Sequence, residues 1–186
     1  MRQLYIDGEW VDAESGEGID VTSPVDGETI DTVPAADATD VRKAVEAARE
    51  AEQELREMTA FERAAVLEEV TEYFEAHEDE IAELITREEG KPLHESYEET
   101  EYVIESSEDY AHDAIRLFGD VVPSEFRGRF AYTQREPYGP AAVISPWNYP
   151  LEVPGGSIYS AIATANPVVF KPAEETPLTA YHIAKA

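Results

Sequence analysis

No cysteine occurs anywhere in the 186 residues. That excludes a disulfide scaffold, a thiolate metal site and a cysteine nucleophile on this chain. Basic residues are also scarce, with 14 Lys plus Arg against 41 Asp plus Glu and a formal charge of −27. Nucleic acid and anionic membrane surfaces both need a cationic footprint, so this balance argues against either as a partner. Long apolar runs are missing too. None approaches the ~20 residues that cross a bilayer, and the opening MRQLYIDGEW lacks the apolar stretch of a secretory signal. The expectation is a cytoplasmic protein. High charge can mean disorder, but 42% hydrophobic and 10% aromatic residues are enough to build a core.

The acid is concentrated early in the chain. From Pro137 to Ala186 the only charged residues are Lys171, Lys185, Glu152, Glu174 and Glu175, so almost all of the negative charge lies in residues 1–136. Only four of the basic residues are lysines: Lys43, Lys91, Lys171 and Lys185. A self-repelling acidic shell destabilises a compact state unless salt screens it. This composition suggests a halophile's protein. The alternative is an acidic helical face that binds a basic partner.

The local patterns change along the chain. Leu4-Tyr5-Ile6 and Glu9-Trp10-Val11 flank Asp7-Gly8, a favoured two-residue hairpin turn. Pro24-Val25-Asp26-Gly27 separates Ile19–Thr22 from Thr29–Val33 as a second turn. Helical spacing follows. Val41, Ala44, Val45, Ala48, Ala51 and Leu55 form one apolar stripe. Thr59-Ala-Phe-Glu62 is a capping-box pattern opening a second helix, with Val66, Leu67, Val70, Tyr73 and Phe74 as its stripe. Ile81, Leu84 and Ile85 mark a third helix, ended by Gly90 and Pro92. A fourth is expected from about Leu93 to Phe118, with Tyr97, Ile104, Ala111, Ile115 and Phe118 inward and Gly119 as its stop. The glutamates fall on the opposite faces of these stripes. Phe126–Glu136 reads as an exposed strand or arm.

Two short uncharged runs come next, Ala141–Ile144 and Val168–Phe170, with the texture of strands buried on both faces. A small-residue helix is expected between them, at about Pro154–Thr164. Strand, helix and strand at this spacing make a βαβ unit with a parallel sheet and right-handed crossover. Thr176-Pro177 is a helix-start signal. Two strands with an unfinished second crossover suggest the N-terminal piece of a longer protein. The expected fold class is α/β, with helices and a small β element preceding the parallel sheet.

Several motifs carry no chemistry. Gly16-Glu17-Gly18 lacks the following helix of a dinucleotide fingerprint. His77, His94, His112 and His182 have no metal-ligand spacing, and Glu68, Glu69 and Glu72 lie on an expected solvent face. The loops after the two strands differ, because ligands of open α/β sheets bind beyond the carboxyl ends of the strands. Ser145–Pro150 offers an uncharged amide, Asn148, between two prolines; such a donor can stabilise a developing oxyanion, although Asn is also a common turn residue. Lys171 and Glu174 directly follow the second strand. A carboxylate there can accept both hydroxyls of a ribose and the ammonium can hold a hydroxyl or phosphate. The bland alternative is an exposed ion pair of little value.

Ile144-Ser145-Pro146-Trp147-Asn148-Tyr149-Pro150, followed by Val169-Phe170-Lys171-Pro172-Ala173-Glu174-Glu175-Thr176-Pro177, resembles the aldehyde dehydrogenase superfamily. The similarity extends upstream through Pro34-Ala35-Ala36-Asp37 and Glu89-Gly90-Lys91-Pro92. The resemblance implies aldehyde oxidation through a thiohemiacetal and thioester on a cysteine, with hydride passing to NAD(P)⁺. It implies that Asn148 is the oxyanion donor, that Lys171 and Glu174 hold the adenosine ribose, and that Ile144, Ser145, Pro146 and Trp147 line the cofactor cleft. A carboxylate at Glu174 would repel a 2′-phosphate, which favours NAD⁺ with NADP⁺ as the alternative. Residues 1–125 then form β hairpins and the helical part of a Rossmann-type cofactor domain, 126–137 an oligomerisation-arm strand, and 138–186 an incomplete first βαβ. The whole protein is expected to be a homodimer or homotetramer acting on a small aldehyde. Ala165-Asn166 departs from the family's usual Gly-Asn. The family's cysteine, general-base glutamate and glycine-containing cofactor loop are not in this chain, so it is expected to be inactive alone. The competing expectations are a short non-catalytic protein that binds nucleotide or a partner, and an acidic helical adaptor.

Overall fold

The computed structural model describes residues 1–186, beginning with two antiparallel ribbons. Strands β1 (Leu4–Ile6) and β2 (Glu9–Val11) pair across Asp7-Gly8, whose φ angles are both positive, at 55° and 74°. Consecutive left-handed residues make the turn whose twist matches that of the flanking strands. Strands β3 (Gly18–Thr22) and β4 (Thr29–Pro34) form the second ribbon, with a register shift between Val21 and Thr22.

Helix α1 (Ala38–Glu57) starts at Asp37, which exchanges side-chain and backbone hydrogen bonds with Asp40. Helix α2 (Ala60–Ala76) starts at Thr59, and its partner Glu62 completes the expected capping box. Helix α3 (Glu78–Glu89) ends at Gly90, which takes the left-handed conformation with φ 88°. Helix α4 (Leu93–Ala114) packs on α2 and α3, and their shared core contains Leu67, Val70, Phe74, Ile81, Ile85, Val103 and Ala111.

The helical stripes need four corrections. Val41 and Val66 point to solvent, at the margins of stripes whose remaining members are buried or half-buried. Helix α4 stops at Ala114, and Phe118 is 74% exposed. Gly119 does not end that helix: a Cβ there would lie 1.8 Å from the Thr133 carbonyl oxygen, so glycine is needed where the chain folds back on itself. The glutamates are not all outward either, since Glu88 and Glu99 are each only 2% exposed. The inner face of α4 is polar by composition (Ser96, Thr100 and Ser107). These hydroxyls are buried because they find partners, including Thr86 on α3 at 2.8 Å and Thr71 on α2 at 2.8 Å.

Of the expected strand over Phe126–Glu136, only β6 (Ala131–Tyr132) pairs, with β5 (Val121–Val122). Strand β7 (Ala141–Ile144) then pairs in parallel with β8 (Val168–Lys171), in register from Ala141↔Val168 to Ile144↔Lys171. Helix α5 (Glu152–Ala163) makes the crossover, as expected. Ala165 turns the chain back with φ 61°, where the expected family glycine would be unstrained. Asn166 secures that turn: its Oδ1 accepts from Tyr138 and Gly139 N–H at 2.7 and 3.0 Å.

The two parallel strands are not buried on both faces. Val143 joins Leu151, Ile158 and Tyr159 in the core, whereas Ile144 is 77% exposed and the apolar residues of β8 are half-buried. The crossover helix α5 packs on both β7 and β8, and α1 also packs against β8. The last helix, α6 (Ala180–Lys185), begins after Thr179 rather than at Thr176-Pro177, where the chain forms turns. It is held by the first ribbon: Trp10 stacks on Tyr181 at 5.4 Å between centroids, and the Tyr181 hydroxyl donates to the Gln3 carbonyl. No helix is long and apolar enough to cross a membrane.

Candidate active site

The parallel pairing of β7 with β8 brings the loops after them to the same edge of the sheet. The register ends at Ile144↔Lys171, and Ser145 N–H donates to the Lys171 carbonyl at 3.3 Å. Thr176 Oγ1 also makes a long contact of 3.5 Å to the Trp147 carbonyl oxygen, linking the loops again further out. Pro146, Trp147 and Asn148 are exposed on this edge, and the Asn148 carboxamide makes no hydrogen bond within the chain. Ser145 is buried, and its Oγ has no hydrogen-bond partner. Lys171 Nζ and Glu174 Oε2 lie 3.1 Å apart, both side chains largely exposed. Bonds from its own backbone N–H and then from Lys171 hold the Glu174 carboxyl below the usual carboxylate range. The ionised carboxylate keeps acceptor sites free for further donors.

Two buried glutamates from the helical part grip these loops from beneath. Glu99 on α4 accepts from the backbone N–H groups of Leu151 and Glu152 through Oε1, at 2.9 and 3.1 Å. A carboxylate at the start of α5 satisfies amides that have no partner within the helix. Glu88 on α3 does the same for the segment after β8. It accepts from Leu178 N–H through Oε1, and from Thr179 N–H and Oγ1 through Oε2 at 3.0 and 2.7 Å. Burial pushes the Glu88 carboxyl up to about 7, against the lowering effect of these donors.

Sequence reasoning missed Glu88, Glu99 and Lys91 as parts of the site's support. Lys91 sits between Glu89 and Glu99, and donates to the Asn148 carbonyl oxygen at 3.0 Å. Burial lowers its basicity, but the hydrogen bond and charge of Glu99, then Glu89, outweigh that and hold its pKa above the ordinary lysine value. The only sequence signal nearby is Glu89-Gly90-Lys91-Pro92, part of the family resemblance. A cleft of about 430 Å³ opens beside this group, lined by His94, Glu95, Glu98, Tyr102, Tyr149 and Glu152 together with Lys91 and Glu99. Among the histidines only His182 is buried. Burial lowers it to about 4, and Tyr73 Oη lies 3.1 Å from its Nδ1. No cluster of His, Asp and Glu has metal-holding geometry.

Comparison with known proteins matches residues 10–186 to the aldehyde dehydrogenase family. The chain belongs to that family. It is 37% identical over 183 residues to D-glyceraldehyde dehydrogenase (NADP(+)) of Picrophilus torridus, covering 98% of this chain and 37% of that protein. It is 36% identical over 184 residues to succinate-semialdehyde dehydrogenase (NADP(+)) of Escherichia coli, covering 99% and 38% respectively. The crystal structure of succinate-semialdehyde dehydrogenase from Burkholderia pseudomallei superposes with a TM-score of 0.96 at 37% identity, over 100% of this chain and 38% of that one. The chain therefore spans less than two-fifths of the length of these aldehyde dehydrogenases. Over that span the α/β architecture is the one they share.

Proposed function

We propose that this chain is the N-terminal portion of an NAD(P)⁺-dependent aldehyde dehydrogenase and supplies one oxyanion donor and part of the dinucleotide site. The observation that carries this reading is the meeting of two strand-end loops on one sheet edge, bonded from Ser145 N–H to the Lys171 carbonyl. That is where an open α/β sheet binds its ligand. In this reading the aldehyde carbon is attacked by a thiol from outside the chain, which has no cysteine. The carbonyl oxygen becomes negative as that bond forms, and the Asn148 carboxamide donates a hydrogen bond to it. A neutral donor held in place stabilises the charge without having to be desolvated itself.

The residues present fit a dinucleotide. The Lys171 ammonium and Glu174 carboxylate are exposed, adjacent and of the right polarity for ribose hydroxyls. The partnerless Ser145 Oγ and the exposed Ile144, Pro146 and Trp147 offer a polar atom and apolar surface beside them. When bound, the dinucleotide supplies the hydride acceptor, and water replaces the thiol on the oxidised carbon to release the acid. Glu174 favours NAD⁺ by charge, whereas the two named relatives use NADP(+) in their names.

Three further parts belong to this proposal. Residues 1–125, 126–137 and 138–186 are read as the ribbon-and-helix part, the arm and the first βαβ unit. Exposed Phe126, Phe130 and Tyr132 on the arm support its role in a homodimer or homotetramer. The acid-rich composition supports adaptation to concentrated salt in the cytoplasm.

A panel of aldehydes with NAD⁺ and NADP⁺, run on the complete gene product that contains this chain, tests the reading. Aldehyde-dependent formation of reduced nicotinamide is expected, and none from residues 1–186 alone. Dinucleotide binding without turnover on any aldehyde would favour the non-catalytic alternative.

A further inference from the structure

Lys91 lies between α3 and α4 with its side chain 8% exposed, and its ammonium donates to two acceptors and stands at ion-pair distance from a third oxygen. Nζ is 2.5 Å from Glu99 Oε2, 3.2 Å from Glu89 Oε2 and 3.0 Å from the carbonyl oxygen of Asn148. It also stands 4.2 Å from the centroid of the Tyr149 ring, where the π face attracts a cation. Taking an ammonium out of water is costly, and an ion pair used only to join α3 to α4 would gain little over apolar packing. Two of the four contacts, however, reach outside the helices to consecutive residues of the loop.

The carbonyl that Lys91 holds belongs to the peptide linking Asn148 to Tyr149. Fixing that peptide plane fixes ψ of Asn148, and with it the backbone from which the carboxamide projects. Glu99, paired to Lys91 through Oε2, uses Oε1 to hold the N–H groups of Leu151 and Glu152. One buried ion pair thus ties the loop down from residue 148 to residue 152. The carboxamide itself has no partner in the chain, so the backbone beneath it sets the position and direction from which it projects.

We propose that Lys91, supported by Glu99, is a positioning residue that aims the Asn148 carboxamide at the developing oxyanion of an aldehyde substrate. This rests on the reading of Asn148 as the oxyanion donor. A misplacement of about 1 Å can cost ~10² in rate, so Lys91→Met lowers the acylation rate by ~10–10². KM for the aldehyde and Kd for the dinucleotide change little, because neither depends on the carboxamide's aim.

The test is a double-mutant cycle in the complete gene product, with single-turnover acylation as the readout. Asn148→Ala alone loses ~10²–10³, and Lys91→Met added to it causes no further loss, since nothing is left to aim. Losses that multiply in the double variant overturn the proposal, as does a wild-type rate for Lys91→Met. A wild-type rate for Asn148→Ala overturns the oxyanion reading itself and this proposal with it. That outcome is separable, because it appears in a variant with Lys91 intact. If Lys91→Met does not fold, Glu99→Gln takes its place in the cycle. It keeps an oxygen for Leu151 and Glu152 but removes the charge facing Lys91, and a wild-type rate for it overturns the proposal.

Discussion

Replacing Glu88 with Gln tests how the helical part holds the segment that follows β8. Glu88 is 2% exposed and accepts from Leu178 N–H, Thr179 N–H and Thr179 Oγ1. Burial alone would keep this group neutral; three donors alone would keep it ionised. Burial prevails, raising the carboxyl from 4.5 to about 7. A folded-state pKa above the unfolded value means that folding favours the proton. The resulting stability is fully present below about pH 4.5 and is lost as pH rises through about 7. At ~1.4 kcal/mol per pH unit, the loss is at most roughly 3 kcal/mol. Gln is neutral at every pH and nearly the same shape, so Glu88→Gln does not lose this contribution as pH rises. Other acidic groups titrate equally in both proteins and cancel in the comparison. Urea unfolding followed by circular dichroism, in molar KCl at pH values from about 5 to 8, gives the two profiles. Wild type should fall relative to Glu88→Gln as pH rises. Parallel profiles, or a relative gain by wild type, would refute the reasoning, the gain showing that the three donors prevail.

Salt should stabilise the folded chain: with a formal charge of −27, the melting temperature should rise from low to molar KCl as screening removes self-repulsion, and a flat response would point instead to an acidic interface. Glu174→Gln removes the charge facing a 2′-phosphate and should shift the NADP⁺-to-NAD⁺ preference of the complete enzyme toward NADP⁺ by about tenfold, equivalent to ~1.4 kcal/mol; an unchanged ratio of kcat/KM values would remove Glu174 from the ribose. Gly90→Ala places a Cβ at positive φ and 2.8 Å from Pro24 Cγ, so it should cost about 1–2 kcal/mol in urea unfolding; a neutral substitution would show that the end of α3 is not held in that conformation.

Local chemistry made much of this fold legible. Asp7-Gly8, the Thr59–Glu62 box and Gly90 each act within a few residues, and each forms the expected turn or cap. The two uncharged runs could be recognised as a βαβ unit because their spacing leaves room for one crossover helix. Partner-dependent features were not legible. Glu88 and Glu99 look like surface acids, since a single sequence does not reveal that Thr179 and Leu151 supply donors some 90 and 50 residues later. The Ser/Thr face of α4 reads as solvent-facing by hydropathy and becomes interior only through bonds to Thr71 and Thr86. Helical periodicity carried the end of α4 past Ala114, because the fold-back that requires Gly119 beside Thr133 depends on residues far ahead in the chain. At the site, Asn148, Lys171 and Glu174 were legible as loop residues after strands, while the ion pair beneath Asn148 was not.

Single-turnover acylation by the Asn148→Ala variant of the complete gene product bears most directly on the claim that these strand-end loops form half of an aldehyde-oxidising site. The expected rate is ~10²–10³ below wild type with dinucleotide affinity preserved, because Lys171 and Glu174 are untouched. A wild-type rate would contradict it.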